Sequence, residues 1–238
     1  MNKNNNKFTD NPESKRVIFF VFYFVFFLIV VLLLRGANAN NNSNRITSNN
    51  SGYSKSFNFD KLKNNNYHFI YKLDKNSNIT IYEGDNDSIT TTFVMSGNPS
   101  LNYYSKNNLY YVKNINTLMW ESATNPIEFY KLIDFNTLDE IMKRATYMSR
   151  TEYLSGDEVD YNYEVSTATL IKYLDNNTIS EVGDNLNNFI FHVDSNDVLY
   201  QIDMDISSYY KYYHSDINRY FISLKYSKIG EISNIRID

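Results

Sequence analysis

Residues 189–206 read FIFHVDSNDVLYQIDMDI, and the way apolar residues alternate along this stretch decides the fold. Phe189, Phe191 and Val193 fall on one side of an extended chain, with Ile190 and His192 on the other. Asp194-Ser195-Asn196-Asp197 is turn chemistry. Beyond it, Val198, Tyr200, Ile202, Met204 and Ile206 share one face, opposite Gln201, Asp203 and Asp205. One apolar and one polar face is the mark of an antiparallel sheet covered on a single side. The pattern repeats over Arg219–Ser227, with Tyr220, Ile222, Leu224 and Tyr226 aligned. Lys228-Ile229-Gly230 then turns into a last predicted strand, Ile232–Ile237.

Working back toward the N-terminus, Tyr67, Phe69, Tyr71 and Leu73 alternate against His68 and Lys72. Further strands are predicted at Ile79–Glu83, Ser88–Ser96, Leu101–Ser105 and Leu109–Lys113, separated by short Gly/Asn/Asp turns. Spacings this short make successive strands neighbours in a meander. The middle of the chain changes period. Asn125-Pro126-Ile127-Glu128 combines a cap, a first-turn Pro and an acid three residues on, and predicts a helix running through Ile133. A second helix is predicted over Thr137–Arg144 on Leu138, Ile141 and Met142. Met148–Leu154 and Tyr161–Val165 form a hairpin about Gly156, and Ser166 caps a third helix carrying Leu170, Ile171 and Leu174. Helices lying between two blocks of meander cannot serve as βαβ crossovers, so they must cover the sheet. The fold class is therefore α+β: an antiparallel sheet of about ten strands that curls, with about three short helices on its concave apolar face. Trp120, at the junction of sheet and helices, reads as a core residue.

A membrane segment precedes this domain. Val17–Leu34 is eighteen residues without a charge, about 27 Å of helix and close to the thickness of a bilayer core. Lys3, Lys7, Lys15 and Arg16 lie before it, which places residues 1–16 in the cytoplasm and the remainder outside. The domain plan is thus a tail at 1–16, a transmembrane anchor at 17–34, an Asn/Ser-rich tether at 35–56 and an extracytoplasmic β-rich domain at 57–238. The alternative is a cleaved signal with release near Ala39, since Ala37-Asn38-Ala39 is a small-x-small site. Arg35 and the length of the apolar run favour the retained, single-pass anchor.

Composition removes several classes of function. The chain has no Cys, so disulfide frameworks, thiol nucleophiles and Cys-zinc sites are absent. Beyond residue 35 it carries 18 basic against 25 acidic residues, which disfavours nucleic acid at long range. Tyr (22) and Phe (16) far outnumber Gly (7) and Pro (3), a balance suited to half-buried sheet surfaces.

The layout from Asn125 to Asp238 resembles the LolA-like lipoprotein carriers and the LppX/LprG-type lipid-binding lipoproteins. The residues that carry the resemblance are Asn125-Pro126 opening a helix, Gly156 in a hairpin, and Tyr161-Asn162-Tyr163-Glu164-Val165 leading into a helix. It continues through Val193-Asp194 to Asp205 and over Tyr226–Ile237. These are patterns of residue class. The resemblance implies a curved half-barrel that holds a lipid or acylated molecule without catalysing a reaction. The anchor departs from the family, whose members are often attached through a Cys or move freely, so any hand-over here is local to the membrane. The alternative is an interaction or sensory module of the cell envelope with no small-molecule ligand.

Curved sheets that do not close tightly can enclose apolar cavities. The covered face would be contributed by Tyr67, Phe69, Phe93, Met95, Phe191, Tyr200, Ile202, Met204, Ile222 and Leu224. They read either as core beneath the helices or as the lining of a ligand cavity. No motif nominates a catalytic set, a metal or a cofactor. His68, His192 and His214 are far apart without ligand spacing; Asp203 and Asp205 read as a solvated strand face; and Gly-x-Ser-x-Gly and His-Glu-x-x-His are missing. The run Tyr209-Tyr210, Tyr212-Tyr213 reads either as amphipathic contacts to a partner or glycan, or as a short helix packed by one side. The expected partners are the bilayer, through residues 17–34, and the hydrophobic ligand.

Overall fold

A computed structural model describes residues 45–48, 57, 59–178 and 185–237. The chain divides into two compact units, 1–45 and 46–238. Apart from Arg45, everything below belongs to the second. The span read at 17–34, the tail before it and most of the tether lie outside the described residues. Among those described, no helix is long and apolar enough to cross a membrane.

The strands are β1 (Arg45–Ser48), β2 (Tyr67–Lys75), β3 (Asn78–Asn86), β4 (Thr90–Met95), β5 (Leu101–Lys106), β6 (Leu109–Lys113) and β7 (Trp120–Ala123). They continue with β8 (Thr146–Tyr153), β9 (Glu158–Ser166), β10 (Leu186–Asp194), β11 (Leu199–Asp205) and β12 (Tyr220–Ser227). The helices are α1 (Asp60–Lys63), α2 (Phe135–Met142), α3 (Thr167–Leu174) and α4 (Ser207–Tyr213), with a 3₁₀ turn at Tyr130–Leu132. Residues 45–48, read as tether, form an edge strand.

All the strands lie in one open sheet, in the order β1-β8-β9-β10-β11-β12-β2-β3-β4-β5-β6-β7. Two meanders are present: β2 to β7, which adds β7 to the strands expected, and β8 to β12, which joins the expected hairpin to the C-terminal strands. They join along one seam, where β12 pairs antiparallel with β2 from Tyr220↔Lys75 to Ser227↔His68. Residues 124–145 must therefore connect β7, at one edge, to β8 near the other, ten strand spacings or about 48 Å away on a flat sheet. They cross the apolar face, and this is why the 3₁₀ turn and α2 lie there.

That crossing corrects the first predicted helix. Asn125 does fold back, accepting from the Ile127 N–H at 3.0 Å, but no α-helix follows. Ile127, Phe129 and Leu132 are all buried, a spacing of two and three that suits a chain draped over a face. Tyr82 holds the drape by donating to the Pro126 carbonyl at 3.1 Å. The α-helix begins later because Asp134 caps it, accepting from the Asn136 and Thr137 N–H groups. Leu138 and Ile141 then face the core. The predicted strand at 232–237 is also corrected. Three of its backbone groups are taken by side chains: Asn66 brackets Ile232 at both N–H and carbonyl, and the Ile235 N–H donates to Asp87. Trp120 is half-buried on the outermost strand, edge-on to Tyr104 at 4.7 Å with the Lys113 ammonium over its ring.

The core is a continuous layer between the sheet's inner face and its cover. Phe57 stacks on Phe191 at 4.3 Å and meets Tyr161 and Tyr163 edge-on. Phe59 stacks on Phe135 of α2 at 5.6 Å. The segment before β2 thus locks α2 onto β10. One backbone position tolerates no side chain. Gly84 lies opposite Phe93 in register, and a Cβ there would strike the Thr92 carbonyl oxygen and come within 2.6 Å of the Phe93 Cα. Both obstacles are backbone, so relief requires β3 and β4 to part. Gly84→Ala is expected to lower the unfolding free energy by about 2 kcal/mol, seen as a lower denaturation midpoint at unchanged slope. An unaltered midpoint would show that the two strands separate freely at that point.

Candidate functional site

Eight of the ten residues read as a covered face lie together on it: Tyr67, Phe69, Phe93, Phe191, Ile202, Met204, Ile222 and Leu224 belong to the buried core, and Met95 packs half-buried at its margin. Phe191, Ile202, Met204, Ile222 and Leu224 are fully buried, so in this structure they are close-packed. Tyr200 is a correction. His192 pairs with Gln201 but Val193 pairs with Leu199, leaving Tyr200 as the extra residue of a β-bulge. Leu199 turns inward in its place. The Tyr200 ring lies on the opposite face, 6.2 Å from that of His192, where burial and the Glu158 carboxylate both raise its pKa. The alternation of Val198, Tyr200 and Ile202 gives no sign of the slip.

At one end of the covered face the helices leave an opening. A cavity of about 270 Å³ has Phe129, Leu132 and Leu174 as its apolar lining, Tyr130, Tyr209 and Tyr210 as rings, and Glu128, Lys131 and Asp175 as charged groups. Across Asp175, Tyr209 and Tyr210 a shallower hollow of about 520 Å³ continues to Tyr213 and His214.

Local sequence fixes this geometry. Ser166 caps α3 as predicted, accepting from the Thr169 N–H at 3.2 Å, and the Lys131 ammonium takes the Leu174 carbonyl at the helix's other end. Buried Asn187 joins three elements: its amide donates to the Val165 carbonyl and the Thr167 hydroxyl, and its oxygen accepts from the Tyr209 N–H, each at 3.1 Å. The end of β9, the start of α3 and the first turn of α4 are thereby held together. Tyr209 and Tyr213, one turn apart on α4, donate to the two oxygens of Asp175 at 2.8 and 2.7 Å. Tyr210 stacks on Tyr220 at 3.5 Å, and the Tyr220 hydroxyl donates to Glu128 at 3.3 Å. Burial first, and the Asp175 carboxylate second, push the Tyr209 phenol far above its ordinary range and the Tyr213 phenol up to about 12. The phenols are therefore neutral donors, and the charge at the opening comes from carboxylates and Lys131.

A second polar cluster lies on the uncovered face. His192 Nδ1 is 2.7 Å from Asp160, and Nε2 is 3.2 Å from Asp203. Tyr153 donates to Asp160 at 2.8 Å and Gln201 donates to Asp203 at 3.0 Å. Burial lowers the imidazole pKa, but the two carboxylates outweigh it and raise it to about 9. Both ring nitrogens face carboxylates, so neither is presented to a nucleophile as general-base chemistry requires. Adjacent β-strands bring the three residues together, and spacing within one strand could not reveal them. Asp203 is thus a partner of His192, whereas Asp205 accepts from the Ser207 backbone and hydroxyl at the start of α4. Among the described residues no group of three His, Cys, Asp or Glu is arranged to hold a metal.

The chain is similar to LprF from Mycobacterium bovis. The match covers 73% of this chain and 89% of that one, at 12% identity and a TM-score of 0.46. At that level the likeness carries no argument about ligand or activity. No protein-family model and no curated protein matches the chain.

Proposed function

We propose that the chain is a single-pass, membrane-anchored extracytoplasmic domain that binds a hydrophobic ligand, a lipid or acylated molecule, and catalyses no reaction. The observation that supports this reading is the opening at the end of the helix-covered face, where tyrosine rings and charged groups lie beside Phe129, Leu132 and Leu174 of the apolar core. Such an opening suits an amphipathic molecule. A tail longer than the opening would extend along the sheet past Tyr220 toward Met204 and Ile222, paired in register. The remaining apolar residues of that face lie beyond, and α3 and α4 would have to move aside to admit it.

Native mass spectrometry with lipid extraction, on the full chain purified without denaturation, tests the reading. A stoichiometric co-purifying lipid or acylated molecule is the expected result. A clean apo mass that takes up no added lipid would overturn it.

The uncovered face favours a second reading, an envelope interaction module. Ile79, Ile81 and Val94 are exposed there, beside a hollow lined by Thr92, Asn102, Lys113 and Trp120. That reading expects a protein cross-linked through this face and no bound lipid.

A further inference from the structure

We infer that the opening between the 3₁₀ turn, α3 and α4 recognises an organic ammonium ion, the cationic end of an amphipathic ligand. This deepens the ligand-binding reading and rests on it.

The sign of the opening comes first. Glu128 and Asp175 are carboxylates on its lining. Asp175 also follows the last residue of α3, where the helix's free carbonyls gather negative potential. Of the cations nearby, Lys131 is directed at the Leu174 carbonyl and Lys75 lies 3.4 Å from Glu128. The tyrosines contribute neutral hydroxyls. Glu128 is paired with Lys75 and Lys131 is engaged by the Leu174 carbonyl, so an anionic headgroup would chiefly face the Asp175 carboxylate and the helix C-terminus, a poor match in a partly desolvated site.

The walls point to the type of cation. Tyr130, Tyr209 and Tyr210 line the opening and Tyr213 lines its continuation. Tyr209 stands nearly perpendicular to Tyr210 at 5.1 Å and to Tyr213 at 5.7 Å, so rings of different orientation bound one space. Aromatic faces carry negative electrostatic potential and attract alkylated ammonium ions, which need no hydrogen-bond partner for every position. The Asp175 oxygens already accept from two phenols, which leaves a diffuse negative charge better suited to a bulky ammonium than to a small metal ion. Phe129, Leu132 and Leu174, nearly buried beneath the lining, form the narrow apolar floor that the carbon attached to the nitrogen would meet. Rings, carboxylates and apolar floor are together what an alkylammonium requires.

Isothermal titration calorimetry on the full chain in nanodiscs, with empty nanodiscs subtracted, tests this with four probes. They are choline, hexyltrimethylammonium, the neutral choline isostere 3,3-dimethylbutanol, and heptanoate. At least one ammonium is expected to bind roughly tenfold or more tighter than the neutral isostere, with heptanoate weakest. Choline binding as tightly as the tailed cation would mark a free amine as the ligand; a large gain from the tail would mark a lipid-like one. Glu128→Gln and Tyr210→Leu, each checked for an unchanged circular dichroism melt, are expected to weaken ammonium binding about tenfold. Equal affinity for cation and isostere, or wild-type affinity in both variants, would overturn the inference. Binding of heptanoate or the alcohol without the ammonium ions sinks this inference alone and leaves the ligand-binding reading in place. Heat from none of the probes, together with no lipid in the native mass spectrum, removes both.

Discussion

Phe191→Ala is expected to cost the domain about 3–5 kcal/mol of stability, a large part of what a domain of this size has in total. Phe191 exposes nothing and sits mid-strand in β10, paired with Tyr161 on one side and Ile202 on the other. Its ring stacks on Phe57, meets Tyr163 edge-on at 5.8 Å and lies 6.3 Å from Phe59. Those neighbours come from three separate parts of the chain, so no single element can relax into the space left behind. Phe57 would also lose its stacking partner, loosening the segment that locks α2. Guanidinium denaturation of the purified chain gives the number. A loss under about 1 kcal/mol would mean that the surrounding rings collapse onto the vacancy and that the core is far softer than its burial indicates. Phe191→Leu should fall between, at about 1–2 kcal/mol.

The second large effect is one of pH. In the folded protein His192 titrates near 9 rather than 6.5, because Asp160 and Asp203 favour the imidazolium more strongly than burial disfavours it. A folded pKa above the unfolded one gives stability that is fully present below about pH 6.5. It declines as pH rises and is gone once pH passes about 9. At 1.36 kcal/mol per unit the upper bound is about 3 kcal/mol. Asp203 acts in the other direction: its pKa is lowered, because His192 and hydrogen bonds from Ser223 and Gln201 outweigh the effect of burial. Its contribution is present above its ordinary pKa and lost as pH falls through the lowered value. The network is therefore strongest between about pH 4 and 6.5. Unfolding free energies at pH 6 and pH 9 should differ by about 2–3 kcal/mol in the wild-type chain and by much less in His192→Gln. The same pH difference in both proteins would remove His192 as its source. The comparison stops at pH 9 because above about 10 the buried phenols of Tyr71 and Tyr226, whose pKa values burial raises, add an alkaline loss of their own.

The sheet was legible in the sequence because alternation is a local signal: β2, β6, β10 and β12 fall within a few residues of where their apolar periods place them. The caps at Ser166 and the turn at Asp194 were legible for the same reason. What failed were the places where distant contacts set local shape. Residues 125–133 carry helix signals yet must lie across a face, so burial at Ile127, Phe129 and Leu132 overrides them. The slip at Tyr200 is settled by how β11 sits against β10. The candidate site shows the same division. The tyrosine run at 209–213 was visible, but Asp175 carries no sequence mark that it would meet two of those phenols, and Glu128 looked like part of a capping box. Eight of the ten residues assigned to the covered face are buried on it, because facing is a local property. Whether a face encloses space depends on how its cover packs, and no period in the sequence reports that.

The seam between β12 and β2 sets a kinetic constraint. Arg219 and Asp74 meet across it at 2.7 Å though they are 145 positions apart in the chain, whereas the hairpins on either side close over a few residues. Bringing such distant segments together costs about 3 kcal/mol more in loop-closure entropy than closing a four-residue turn. The two meanders are each rich in neighbouring contacts, so each is able to assemble early while the seam, with its high sequence separation, is the slow event. Until it forms, β2 and β12 are bare edges of opposite halves, matched to each other and equally matched to the same edges on another copy. A newly made chain is most exposed to exchange with its neighbours during that interval. Residues on the seam should accordingly influence the yield of refolding at high protein concentration more than they influence the finished domain.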